Sequence, residues 1–106
     1  MKPLVLLRSA EDDIETAFDY YLSNAHAAPA TSFVMAVDDA FGHVRKHPRT
    51  GSLRYEAILE IPGLRLWLVS KFPYAVFYIE HPDRVDVLRV LHQHSDIPQL
   101  LRTDFP

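Results

Sequence analysis

The hydrophobic residues in the first half of the chain follow the spacing of amphipathic helices. The first helix starts near Ser9, which lies three residues before Asp12 in a variant of the capping box, and it ends near Ser23 and Asn24. Its apolar face is formed by Ile14, Ala17, Phe18, Tyr21 and Leu22. The same spacing recurs after Pro29 at Phe33, Val37, Ala40, Phe41 and Val44. The pattern predicts two helices joined by a short turn, which form an antiparallel hairpin.

Strand-like segments surround this helical hairpin. They cover residues 3–8, 53–61, 64–71, 74–81 and 84–92. The links Pro62-Gly63, Phe72-Pro73 and Pro82-Asp83 are too short for helices and fit turns between antiparallel strands. The sequence therefore predicts the order β-α-α-β-β-β-β, an α+β fold whose helical hairpin packs on a twisted, mainly antiparallel sheet. Residues 97–105 are expected to add a last helical turn.

Length and composition fit one domain over residues 1–106. Hydrophobic residues make up 48% of the chain and charged residues 24%, which is typical of globular proteins. The apolar run at residues 4–7 is too short for a signal peptide or a membrane span, so we expect a cytoplasmic protein with no membrane contact. The chain has no cysteine, which excludes disulfides and thiolate metal sites.

The charge is weakly acidic and evenly spread. Eleven Lys and Arg residues against fourteen Asp and Glu residues give a formal net charge of −3, and neither half of the chain is a basic platform. Proteins that grip nucleic-acid backbones depend on clustered cations that release counterions. We therefore predict no tight general nucleic-acid binding, although a small local basic patch is compatible with this composition.

Two arginines are the main candidates for a functional role. Arg89 shares a predicted strand face with Val85, Val87 and Leu91. Its guanidinium needs a partner there, and an internal bridge to an acid such as Glu60 or Asp96 is favoured over a binding site. Arg65 follows the Pro-Gly turn, and a solvated edge charge is favoured over a binding role.

The remaining titratable clusters predict no catalysis. His92 and His94 would face the same side of a strand, but no third metal ligand has a recognised spacing, so we predict no metal. Asp12, Asp13 and Glu15 are interpreted as the acidic first turn of a helix. Neither a phosphate-binding glycine loop nor a nucleophile elbow is present, and we predict no catalytic residue and no cofactor.

Three motifs follow one another in the second half of the chain: GLR at 63–65, FPYAVFY at 72–78 and LRVLH at 88–92, closed by Asp96. Together with a P-x-x-G loop at 48–51, they resemble the ParE branch of the ParE/RelE superfamily of toxins from bacterial toxin–antitoxin pairs. The resemblance covers nearly the whole chain. It departs from the branch at Gln93, His94 and Ser95, where small and basic residues are usual.

The resemblance implies the toxin of a type II toxin–antitoxin system, of the kind that stabilises plasmids. Such a toxin inhibits DNA gyrase by protein–protein contact and is neutralised in a hetero-oligomer with a cognate ParD-type antitoxin. The residues that match the family motifs, Arg65, Arg89 and His92, are the candidates for target binding. The antitoxin is expected on exposed apolar surface, either a sheet edge or the groove of the helical hairpin, with Tyr20, Val34 and Met35 as candidates for the groove.

Two alternatives remain open. A ribosome-dependent endoribonuclease of RelE type would have an arginine near Ala75, lysines near Leu66 and Leu68, and a tyrosine beyond Tyr78, all of which are missing here. This enzyme would need a basic patch assembled on one face, from Arg54, Arg65, Lys71 and Arg89. The second alternative is a toxin-fold protein that has lost its toxicity and only binds its partner.

Overall fold

Two long helices pack against one face of a four-stranded sheet in the computed structural model, which describes residues 1–24 and 27–104. The elements are β1 (Leu4–Leu6), α1 (Arg8–Asn24), α2 (Ala27–Lys46), a short 3₁₀ helix (Pro48–Thr50), α3 (Glu56–Leu59), β2 (Leu64–Leu68), β3 (Tyr74–Glu80), β4 (Val85–His92) and α4 (Ile97–Asp104). The α+β class and the helical hairpin are confirmed. The predicted last helical turn is confirmed by α4, and its residue 105 lies outside the described residues.

The sheet is mixed, with the strand order β1-β4-β3-β2. β1 runs parallel to β4, whereas β4, β3 and β2 form an antiparallel meander. The strands of the meander are joined by short links, as the sequence predicts. The connection between the parallel strands β1 and β4 is long and includes the helical hairpin. β1 and β2 are therefore the two edge strands.

The predicted strand at 53–61 is wrong. This segment lies within the described residues and holds α3 but no strand, and the isolated bridge nearby, between Ser52 and Leu66, comes from the residue before it. Glu56 begins a stretch of good helix formers, and the helical turn brings Leu59 and Ile61 together into the core. Glu60 ends α3 in a left-handed conformation with φ of 56°, which a strand residue does not adopt.

The sheet has an apolar cluster on each face. On the helical side, α2 contributes Phe33, Val37 and Val44, and the sheet contributes Val76, Tyr78, Val85, Val87 and Val90. On the other side, α3 and α4 cover Leu64, Ala75, Phe77, Leu88 and Leu91. Both faces of β3 and β4 are buried, which explains why these strands are apolar at nearly every position.

A β-bulge in β4 decides which side chains face the helices. Phe77 pairs with Arg89, but its neighbour Tyr78 pairs with Val87, so Leu88 is the extra residue. The prediction that Leu91 shares a face with Val85 and Val87 is therefore wrong, because the bulge turns Leu91 into the opposite cluster.

Candidate functional site

Arg89 is held between two helices at the end of the sheet that β1 leaves uncovered. Its Nε and Nη2 donate to the two carboxylate oxygens of Asp13 at 2.7 and 2.8 Å, and its Nη1 donates to the backbone oxygen of Leu100 at 3.3 Å. Asp13 also accepts the backbone N–H of Val90 at 3.0 Å. The bridge thus joins α1, β4 and α4. It also gives a hydrogen-bond acceptor to the N–H of Val90, which lies in the part of β4 that does not pair with β1.

The partner of Arg89 differs from the prediction. An internal bridge is confirmed, but the acid is Asp13 rather than Glu60 or Asp96. The interpretation of Asp13 as part of a helix cap is wrong, because α1 already begins at Arg8 and Asp13 lies in its second turn. A signal was present in the sequence, since Asp13 lies on the same helical stripe as the buried Ala10 and Ala17. Alanines at these positions let α1 approach the sheet closely.

Arg65 anchors the loop that follows α2. Its Nη1 donates to the backbone oxygen of Gly51 at 2.8 Å, so the prediction of a solvated edge charge is wrong. Tyr78, which pairs with Arg65 across the sheet, holds the same loop. Its hydroxyl donates to the backbone oxygen of Pro48 at 2.8 Å and accepts the Gly51 N–H at 3.1 Å.

Tyr78 belongs to the FPYAVFY motif, but no functional role was predicted for it from the sequence. Burial raises the pKa of its phenol, and the nearby Gly51 N–H and Arg65 act in the opposite direction. The phenol is fully enclosed by the core and the loop. This enclosure requires glycine at position 51, because a Cβ there would overlap with the Tyr78 hydroxyl and the backbone oxygen of Leu66.

His92 ends β4 and is half-buried against Tyr74, with the two ring centroids 5.2 Å apart. Its Nδ1 accepts the backbone N–H of His94 at 3.1 Å, and its backbone oxygen accepts the Ser95 hydroxyl at 2.6 Å. The segment with the unusual residues Gln93, His94 and Ser95 is therefore a tight turn between β4 and α4. Among the residues that the structure describes, no three His, Asp or Glu side chains are placed to hold a metal ion.

The four cations of the RelE-type alternative do not share one face. Arg65 is hydrogen-bonded to the backbone of Gly51, and Arg89 is hydrogen-bonded to the carboxylate of Asp13. Lys71 lies beside α2, next to Met35. Arg54 lies across the sheet from the helical hairpin, at the rim of a cleft. The basic patch that a ribonuclease of this type needs is not assembled.

This cleft lies on the second face of the sheet and has a volume of about 710 Å³. Leu66, Leu68 and Ala75, the positions where the RelE branch is expected to carry cations, all line it. Its polar rim includes Arg54 and His94. An apolar floor of this kind offers no charge to stabilise a phosphate in a transition state.

The helical hairpin carries a shallow groove between α1 and α2. Val34 and Met35 line it together with Ile14 and Phe41. Val34 and Met35 are 41% and 63% exposed. Tyr20 is also exposed, at 58%, but it contacts Tyr21 on α1 and is not one of the side chains that line the groove.

None of the described helices has the length and apolar character that crossing a membrane requires. The cleft, the groove and the two arginines Arg65 and Arg89 all belong to one α+β domain. The centre of its sheet is buried on both faces.

Comparisons with known proteins agree with this architecture. The structure is similar to a chain of the "Chromosomal ParDE TA system from P. aeruginosa", with a TM-score of 0.73, 20% sequence identity, and coverage of 87% of this chain and 96% of that chain. No curated protein shows significant sequence similarity to the chain. The family model "ParE toxin of type II toxin-antitoxin system, parDE" matches residues 4–97. Because this match spans most of the sequence, the chain belongs to the ParE toxin family of type II toxin–antitoxin systems.

Proposed function

We propose that the protein inhibits DNA gyrase by direct protein–protein contact in the cytoplasm and is neutralised by a cognate ParD-type antitoxin. The observation that carries this proposal is the family match over residues 4–97. The similar structure comes from a ParDE toxin–antitoxin system, which supports an antitoxin as the partner. Trapping of the gyrase–DNA complex in its cleaved state is the form of inhibition we expect.

The protein acts in this proposal as a binder without an active site of its own. The apolar floor formed by Leu66, Leu68 and Ala75 supports this, since a ribonuclease needs cations at such positions. The separation of Arg65 and Arg89 into two different internal bridges supports it further.

We propose that Arg65, Arg89 and His92 contribute to the target contact in two ways. Arg65 and Arg89 hold backbone next to exposed residues, since Arg65 fixes the buried Gly51 between the exposed Thr50 and Ser52, and Arg89 fixes α4 at Leu100. They are positioning residues in this scheme. The ring of His92 is half-buried at the end of β4, where it packs beside the turn that leads into α4, and it supplies direct contact.

We propose that the antitoxin lays an amphipathic helix across the groove of the hairpin. Val34 and Met35 are its contacts in the groove, because both are exposed apolar side chains on α2. Tyr20 lies outside the groove and extends this interface along α1. Apolar side chains with this degree of exposure are typical of protein interfaces when they are contiguous.

The test is supercoiling of closed circular DNA by purified gyrase with the protein titrated in, beside cleavage of ribosome-bound message under the same conditions. Loss of supercoiling or accumulation of cleaved DNA, with intact message, is the expected result. Cut message with unaffected gyrase would establish the RelE-type alternative and refute the proposal. Inactivity in both assays, with retained antitoxin binding, would identify a toxin-fold protein that has lost its toxicity.

A further inference from the structure

A second cavity, of about 810 Å³, lies between the end of α2 and the start of β1 and is rich in cations. The basic side chains that line it are Lys2, Arg45, Lys46, His47 and Arg49. They come from three segments: the residues before β1, the last turn of α2, and the 3₁₀ helix with the residue before it. The fold brings together cations that are more than 40 residues apart in sequence.

Specific contacts hold part of this cluster in place. Lys2 Nζ donates to Glu80 Oε2 at 2.6 Å and to the backbone oxygen of His81 at 2.8 Å. Arg49 Nε donates to the other oxygen of the same carboxylate at 3.3 Å. Arg45 Nε donates to the backbone oxygen of Lys2 at 3.1 Å. One glutamate thus aligns two cations, and Arg45 is tied to the chain segment that carries one of them.

The charge around this cavity is opposite to that of the protein as a whole. Four Lys and Arg side chains line it against two carboxylates, Glu80 and Asp83, which gives a net charge of +2. The whole chain carries −3, so the remaining residues carry −5. Asp83 is also bound by Arg84 at 3.1 Å, which weakens its field in the cavity. The cavity therefore has a local concentration of net positive charge on a protein that is acidic as a whole.

The end of α2 explains only part of this concentration. Cations are favoured near the C-terminus of a helix, where unpaired carbonyls are negative, and this accounts for Arg45 and Lys46. It does not account for Lys2 or Arg49, which lie outside the helix. Glu80 is a single negative charge shared by these two cations, so it leaves the cluster with an excess of positive charge.

We propose that this cavity binds a phosphate group, carried by a nucleotide or by a nucleic-acid backbone. Lysine and arginine are the residues that proteins use for phosphate, Arg through its planar fork and Lys as a mobile point charge. The site is a local contact and does not require tight general nucleic-acid binding. It extends beyond the inhibition of gyrase proposed above and does not depend on it.

The probes are inorganic phosphate, ATP and a short DNA duplex, with adenosine as the probe that lacks phosphate. Binding of the small molecules is followed by chemical shifts of the backbone amides at residues 45–47, 49 and 50. Binding of the duplex is followed by fluorescence anisotropy at several salt concentrations. The test variant carries Arg45→Gln and Lys46→Gln. The matched control carries Arg54→Gln and Arg102→Gln, which remove the same charge from exposed side chains outside the cavity.

We expect the phosphate-bearing probes to bind and adenosine not to bind. The test variant should weaken binding by about tenfold or more and lower the slope of log affinity against log salt by about two, whereas the control should stay near the parent protein. Binding of the duplex alone would assign the site to a nucleic-acid backbone, and binding of ATP as well would include nucleotides. The proposal is overturned when no phosphate probe binds at low salt, or when both variants lose affinity equally.

Because gyrase is not used in this experiment, its failure leaves the proposed function intact.

Discussion

Arg89 and Asp13 meet through two parallel N–H···O bonds of 2.7 and 2.8 Å, across 76 positions of sequence. Their side chains are only 14% and 12% exposed. The bidentate geometry is the strongest form of an ion pair, because both donors of the guanidinium fork are aligned with both oxygens. The pair ties the first helix to the last strand, and through Leu100 to the last helix.

Removal of Asp13 is expected to destabilise the protein strongly. Asp13→Ala leaves the guanidinium of Arg89 and the amide of Val90 without their acceptor in a largely buried place. We expect a loss of about 2–4 kcal/mol in the free energy of unfolding, between the values for exposed and fully buried pairs. Urea denaturation followed by circular dichroism measures this loss.

The adjacent residue supplies the control. Asp12 pairs with Arg8 at 4.0 Å, and both side chains are well exposed, so Asp12→Ala should cost less than about 0.5 kcal/mol. Equal losses in the two variants would show that the buried bridge contributes no more to the free energy of unfolding than the exposed pair does. Replacement of both partners by apolar residues, Asp13→Leu with Arg89→Met, should recover part of the stability, because no uncompensated charge then remains.

Two glycines are expected to respond in opposite directions to the same substitution. Gly51→Ala forces a methyl group against Tyr78 and the backbone of Leu66, and we expect a loss of about 1–3 kcal/mol. Gly42 lies within α2 with no atom close to the position of a Cβ, so Gly42→Ala should stabilise by about 0.5–1 kcal/mol. Thermal and urea unfolding measure both changes. A neutral Gly51→Ala would mean that the loop is not held against Tyr78.

The helical hairpin could be predicted from the sequence because its signal is local. Apolar residues at i, i+3, i+4 and i+7 specify which helical face is buried, and α1 and α2 bury those faces against the sheet. The turns of the meander are equally local, since links of five and four residues between its strands admit few conformations. These parts of the fold need no knowledge of distant contacts.

The parts that failed depend on distant contacts. The mixed apolar and charged pattern of 53–61 is compatible with strand or helix, and the burial of Leu59 and Ile61 against the second face of the sheet decides between them. The alternation of side chains along a strand does not reveal the bulge at Leu88. The bulge changes which face of the sheet every later side chain of β4 points to. The choice of Asp13 over other acids as the partner of Arg89 follows from how α1 crosses β4.

Glu80 is expected to make stability fall in acid. The hydrogen bond from Lys2 is the main cause that lowers the pKa of this carboxyl, and Arg49 acts in the same direction. Because the folded pKa is lower than the unfolded one, the unfolded chain takes up the proton first as pH falls. The contribution of Glu80 is therefore complete above its ordinary pKa and is lost as pH drops through the lowered value.

Unfolding free energies measured from neutral pH to acid test this expectation. Glu80→Gln should flatten the acid part of the profile, since a glutamine cannot release or bind the proton. Glu15→Gln, at an exposed position of α1, serves as the control and should leave the profile nearly unchanged. If Glu80→Gln follows the parent profile, the bridge to Lys2 does not persist in solution.

The groove of the helical hairpin yields the prediction that bears most directly on the antitoxin. Met35→Glu places a charge in a mainly apolar groove lined by Ile14, Val34 and Phe41, where Asp38 already supplies a carboxylate. A buried charge without a partner is costly, so we expect the affinity for the antitoxin to fall by about a hundredfold or more, with the fold unchanged. Isothermal titration with the purified antitoxin measures the loss, and circular dichroism reports the fold.

Ile58→Glu is the matched control for this experiment. Ile58 is 60% exposed, close to the 63% of Met35, but it lies on α3, which packs on the opposite face of the sheet from the hairpin. A general loss of hydrophobic surface would weaken the complex in both variants, whereas docking in the groove weakens it only in Met35→Glu. If Ile58→Glu has the larger effect, the antitoxin binds on the second face of the sheet and not in the groove of the hairpin.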